Sequence, residues 1–285
     1  MLRLANAELA VELIDPANAA EHARLGPRYC WGGYVWRVAD SAAGDLLAGP
    51  EWPRSDPNPH NGQGAPDSFR HTAEPTKLPL TLAGGRGYIL GVGEVSPAPD
   101  GRPVIDRPCR WEISSGDRAL EFRTRQAALG WKSELVRRVS LAGRTLTSAS
   151  RLTNEGSRTL PLHWFAHPFF ALADGTLTCD LPPGYGCEEN PGFAVDPAGR
   201  LTFKRRFAGT EDGHFQQLIV PRDKPLQAIL SHPKLEYVKF ETDFVPDLCP
   251  VWGNGHTWSI EPFIITELAP GESREWTIRY EFGPR

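Results

Sequence analysis

The sequence predicts an all-β chain built from antiparallel strands, and two observations carry the prediction. Apolar and polar residues alternate at the start, the middle and the end of the chain, which is the period of a strand with one buried face. Glycine (28) and proline (27) recur every few residues along the 285, leaving few places for a helix of three turns. A strand content above ~40% follows, against ~20–25% in an average globular chain.

The elements follow in order. ELAVELI sets Leu9, Val11 and Leu13 on one face and Glu8, Ala10 and Glu12 on the other. Segment 49–79, GPEWPRSDPNPHNGQGAPDSFRHTAEPTKLP, is a long loop rich in Pro, Gly and Asn. Loops of that length in compact domains are functional or disordered, and two aromatic residues with the pair Arg70 and His71 favour function. GGRGYILGVG superficially suggests a phosphate loop, but its spacing fits neither the Rossmann nor the P-loop fingerprint and no helix follows. GDRALEFRTRQAALGWKSELVRRV is the one long glycine-poor region, and its ends still read as strands. LVRRVSLAGRTLTSASRLTNEG reads as two strands around an Ala-Gly-Arg turn, closed by Asn-Glu-Gly. EYVKFETDF opposes Val238 and Phe240 to Lys239 and Glu241. In EWTIRYEF, Trp276, Ile278, Tyr280 and Phe282 alternate with Glu275, Thr277, Arg279 and Glu281. No low-complexity linker and no fixed-period repeat interrupts this pattern, so residues 1–285 read as a single antiparallel β domain.

Composition excludes several function classes. Hydrophobic residues make up 40% and charged residues 23%, ordinary for a soluble globular chain that buries a core. A net charge of −4 argues against nucleic acid or an anionic membrane as partner. No apolar run approaches the ~18 residues of a membrane span. The N-terminal stretch MLRLANAELAVELIDP is already patterned and mixes charge early, unlike a signal peptide. The five cysteines, Cys30, Cys109, Cys179, Cys187 and Cys249, are odd in number and widely spread. They suit neither a disulfide framework nor a zinc knuckle, and fit a reducing compartment. There is no Asn-x-Ser/Thr acceptor. The expectation is a soluble, cytoplasmic protein.

LHWFAHPFF, residues 162–170, places His163 and His167 four positions apart among aromatic residues. On a helix that spacing suggests a metal clip. The aromatic richness and Pro168 favour a strand instead. On a strand the two still share a face, but their Cα atoms lie ~13 Å apart. Histidine–metal bonds of ~2 Å do not span that gap, so no metal is expected. Both imidazoles can point into one groove. They can equally be histidines of an aromatic core strand that find hydrogen bonds locally, and the stretch by itself leaves both open.

A resemblance bears on the choice. LVRRVSLAGRTLTSASRLTNEGSRTLPLHWFAHPFF resembles the central segment of the aldose 1-epimerase, or galactose mutarotase-like, superfamily, where a strand pair, an Asn-containing turn and a proline-led strand end in a His-Pro-aromatic-Phe motif. Here that motif is AHPFF, so the resemblance implies a catalytic role for His167 rather than His163. WSIEPFIITELAPGESREWTIRYEF is similar to the family's C-terminal pattern and makes Glu261 the counterpart of its catalytic carboxylate. GTEDGHFQQL resembles the Asp-x-x-Phe element whose aspartate binds sugar hydroxyls, here Asp212. The matches run in order over roughly residues 130–282, and LANAELAVELIDP suits the family's first strand. Where many members carry His-Gly-Phe-Ala-Arg, this chain has DSFRH, with Arg70 and His71 as nearest counterparts.

The resemblance implies a β-supersandwich with a carbohydrate groove across one face. It also implies an isomerase that interconverts sugar anomers without a cofactor, on a free monosaccharide or a sugar phosphate. Glu261 is then the base and His167 the acid, with Asp212, His163, Arg70 and His71 as substrate contacts and Trp164 and Trp252 packing on the sugar's apolar face. FKRRF is read either as a grip on a sugar phosphate or as an exposed basic strand and turn. A Ser-His-Asp hydrolase lacks its Gly-x-Ser-x-Gly elbow. The alternatives are a non-catalytic carbohydrate-binding or sugar-sensing protein on the same fold, and a lyase or glycoside-processing enzyme on it. The presence of both His167 and Glu261 favours the isomerase, because a binding protein has no chemical need of the pair.

Overall fold

The computed structural model describes residues 1–69, 85–99, 102–128 and 130–285. Strands account for 51% and helix for 2%. Among the described residues the helical element is one 3-10 segment, Ala19–Arg24, capped by the Asn18 side chain. Every strand pairing among them is antiparallel. No helix among them is long and apolar enough to cross a membrane.

The alternating segments build a ten-stranded sheet. Within it Trp131–Ala142 and Thr145–Asn154 form a hairpin, closed at the pair Ala142 and Thr145. Two residues make that turn, and Gly143 takes the positive φ (54°) that a tight hairpin of this hand demands. Ser273–Phe282 pairs with the second arm and sends Trp276, Ile278, Tyr280 and Phe282 into the core. The glycine-poor stretch supplies Ala119–Ala128 on the other side, and Val238–Thr242 buries Val238 and Phe240 as its alternation requires. Burying each such side chain contributes ~1.5–3 kcal/mol.

A second layer packs against this inner face. One part is a three-stranded sheet in the order Phe263–Leu268, Leu160–Ala166, Asp67–Phe69. The other is a five-stranded sheet in the order Phe170–Ala171, Thr257–Ile260, Pro250–Gly253, His214–Ile219, Gly186–Cys187. Trp164 meets Trp276 with ring centroids 5.2 Å apart, and Phe170 meets Phe240 at 5.7 Å. Arg137, fully buried in the ten-stranded sheet, reaches across the layers to ion-pair with Asp67. It also donates to Ser148 Oγ, Ser150 Oγ and Gly32 O. Burial works against the guanidinium's charge, and the Asp67 carboxylate beside it more than offsets this. Losing one partner of such a pair typically costs ~3–5 kcal/mol.

Two features differ from the sequence reading. His163 and His167 do not share one strand: the ladder ends at Ala166, because Pro168 has no N–H to continue it. Trp164 does not face a sugar groove. Counting by two along Leu160–Ala166, it points to the opposite face from His163, into the core, where its Nε1 donates to Asp67 Oδ2 at 3.2 Å.

Candidate active site

The chain passes between the three- and five-stranded sheets twice, and each passage is a residue followed by proline. His167–Pro168 joins Leu160–Ala166 to Phe170–Ala171; Glu261–Pro262 joins Thr257–Ile260 to Phe263–Leu268. Proline ends the ladder and keeps the residue before it extended. At both breaks the backbone N–H finds a substitute acceptor: His167 N donates to Pro66 O (2.8 Å) and Glu261 N to Pro250 O (2.9 Å). Because the strands flanking the two breaks are themselves paired, the breaks come side by side. His167 Nε2 lies 3.3 Å from Glu261 Oε1, with the residues 3% and 6% exposed.

The pair lines a cavity of about 420 Å³, within the ~300–1,000 Å³ of small-molecule sites. His163 and Phe165 face it from the histidine strand, and Phe165 stacks on Phe263 at 4.4 Å. Trp252 lines it too, its ring 6.4 Å from that of His167. Pro50 and Asn61 bring the described part of the 49–79 loop to the rim. Arg70 and His71 lie outside the described residues.

Asp212 is not among the lining residues, although its neighbours Thr210 and Glu211 are. Arg205 clamps its carboxylate in a fork at 2.7 and 2.6 Å, and Ala208 N donates to it as well. Arg205 thereby holds the Asp212 carboxyl down to about 2. Two of the three cations of FKRRF are engaged in the same way, Lys204 with Glu189 and Arg205 with Asp212. All five cysteines are free thiols. Burial pushes Cys30 up to about 11 and Cys109 up to about 12, so neither offers a thiolate at neutral pH. Among the described residues no cluster of three His, Cys, Asp or Glu side chains is arranged to hold a metal ion.

Arg28 is the residue that sequence reasoning missed. It comes from RYCWGGYVW, lies over Tyr29 (Cζ to ring centroid 5.0 Å) and donates to His60 O at 2.9 Å. Its Nη2 stands 3.1 Å from His167 Nε2. A guanidinium only donates, so this bond requires a lone pair on Nε2, whereas a proton on Nε2 points to Glu261. The two contacts are alternatives for one nitrogen. Asn254 was missed too. Fully buried, it donates to Pro50 O and Thr210 O, both at 3.1 Å, and so ties two rim segments together. In the sequence the only sign of either was a block of aromatic and glycine residues and an Asn-Gly turn.

No protein-family model matches the chain, and no curated protein does. Solved structures do match. A galactose mutarotase-like protein from Lactobacillus casei superposes with a TM-score of 0.60 at 16% identity, covering 99% of both chains. A galactose mutarotase related enzyme from Lactobacillus acidophilus gives 0.60 at 14% identity over 99% of this chain and 96% of that one. The Slr1438 protein of Synechocystis gives 0.62 at 14% over 100% and 96%. The fold is galactose mutarotase-like. In this mutarotase-like frame the cavity opens on the outer face of the second layer, away from the ten-stranded sheet.

Proposed function

We propose that the protein interconverts the anomers of a sugar by paired proton transfer. The observation that carries the reading is the contact of a buried imidazole and a buried carboxylate, 3.3 Å apart, in a cavity of sugar-binding size. Glu261 takes the proton from the anomeric O1–H as His167 gives its Nε2 proton to the ring oxygen. The C1–O5 bond breaks, its electron pair stays on O5, and the O1–H pair becomes the aldehyde C=O. The C1–C2 bond rotates, and the reverse transfers close the ring on the other face. Nothing else is consumed, which suits a site of one acid and one base. Arg28 holds the Nε2 lone pair while the site is empty. The ring oxygen takes over that position when sugar binds and Nε2 is protonated.

NMR exchange spectroscopy on freshly dissolved anomers of a panel of sugars tests the proposal. Glu261→Gln and His167→Asn should each fold, bind sugar and lose ~10²–10⁴-fold in kcat. The wild-type pH–rate profile should be bell-shaped. A rate equal to the uncatalysed one for every sugar, with binding intact, would instead leave a carbohydrate-binding protein.

A further inference from the structure

We infer that the apolar face leading out of the cavity is a second saccharide subsite. The substrate is then the reducing end of an oligosaccharide extended through O4. This rests on the anomerisation reading above and adds the class of sugar.

The face is built by two paired strands. Phe215 lies opposite Trp252 and Gln217 opposite Pro250. The bond from Leu218 N to Cys249 O continues the ladder and brings Ile219 opposite Leu248. By the period of a strand these side chains share one face, and Phe215, Gln217, Leu248, Pro250 and Trp252 all line the cavity. Phe215 is 56% exposed, Ile219 55% and Leu248 40%. Phe215 is also the one aromatic residue among the large exposed apolar side chains described. Ile265, likewise exposed, stands two positions beyond the cavity residue Phe263. Apolar surface gathered at the mouth of a cleft marks a binding surface.

Geometry and charge select the occupant. His167 and Glu261 are the buried polar residues among those lining the site, so C1 and O5 of the sugar must turn inward. In a pyranose C4 lies across the ring from C1, so O4 points outward to Phe215 and Ile219. A second ring attached there lays its C–H face on these side chains and keeps its hydroxyls in water. A phosphate would need an unpaired cation at the mouth. The one Arg or Lys among the described lining residues, Arg28, faces His167 at the catalytic end and bonds His60 O. The outer face carries Phe215, Leu248 and the Glu211 carboxylate, and Lys204 and Arg205 are paired with carboxylates.

The test compares glucose and xylose with maltose, cellobiose and xylobiose, each disaccharide keeping a free reducing end and a ring on O4. Exchange NMR gives kcat/KM for each. The expected result is a preference of about tenfold for a disaccharide over its own monosaccharide, roughly the worth of one aromatic contact. Phe215→Ala and, separately, Ile219→Ser should shrink that ratio towards one while circular dichroism stays that of the folded protein. Equal efficiency for both classes in the wild type, an equal loss for both in Phe215→Ala, or a preference for glucose 6-phosphate overturns the subsite. So does a concentration-dependent dimer, seen by sedimentation, that Phe215→Ala dissolves, since a second copy then covers the face. If no sugar is turned over, the anomerisation reading fails and binding decides the subsite. Tighter disaccharide binding that Phe215→Ala abolishes sustains it; no such difference removes it.

Discussion

Trp164 lies in the core and Trp252 lines the cavity, and their substitutions should separate stability from binding. Trp164→Phe removes the indole N–H from Asp67 and leaves a buried acceptor short of a donor. A loss of about 1–3 kcal/mol in urea unfolding is expected, with sugar affinity unchanged. Trp252→Phe should do the reverse, weakening sugar binding in a calorimetric titration by up to about tenfold while the smaller ring keeps part of the packing of this half-buried side chain on the core. Arg28 belongs to the same scale. Arg28→Ala removes the charged donor facing His167 Nε2. That bond is made only in the empty site with Nε2 unprotonated and competes with the acid form, so its loss should leave kcat/KM, measured by exchange NMR, unchanged or raised by up to about tenfold. His167, Glu261 and Trp252, singled out in the sequence by motif and residue type, do line one cavity. Trp164 was misassigned although parity along the strand places it opposite His163. Asp212 was read as a sugar contact, yet Arg205, seven positions away, clamps its carboxylate. Arg28 was not legible, because its partner is 139 positions away.

At the scale of elements, the X-Pro breaks at His167 and Glu261 matter most. Short-range signals foretold the hairpin around Gly143 and the alternating strands, since turn chemistry and period two are local properties. The break at Pro168 was half foreseen: proline was taken to exclude a helix there, but it also ends the strand and so turns His167 into the junction. Gly64 supports that junction. Its carbonyl accepts from Phe169 N, its φ is 75°, and a Cβ there would sit 2.3 Å from Val35 O. Gly64→Ala therefore strains the backbone twice over. It should destabilise by about 1–3 kcal/mol in chemical denaturation and lower activity in whatever folds.

At the scale of the molecule, stability depends on groups that tie sheets together. Asp40 ends a strand of the N-terminal four-stranded sheet and pairs with Arg144, in the turn of the central hairpin, and with Arg285 near the C-terminus. Burial alone would raise its carboxyl. The Ala43 and Ala42 N–H donors and the two arginines outweigh burial and hold it well below the usual carboxylate range. A depressed carboxylate stabilises the fold above the ordinary pKa of ~3.9, and that contribution is lost as pH falls below it. Asp40→Asn should thus lower Tm at pH 7 by about 2–4 °C, the shift of ~1 kcal/mol in a chain of this size. Thermal scans should show the penalty shrinking below about pH 4. What the amino-acid sequence by itself determined was the class of fold, its antiparallel strands, their buried faces and a His-Pro and a Glu-Pro at strand ends. These are local, because period, turn and motif are written in neighbouring residues. Only the tertiary structure decided that His167 meets Glu261 and Arg28, that Asp212 is held by Arg205 and that Trp164 serves the core. Each of these depends on strands distant in the chain being brought together by pairing and burial, and no short window of residues encodes such a meeting.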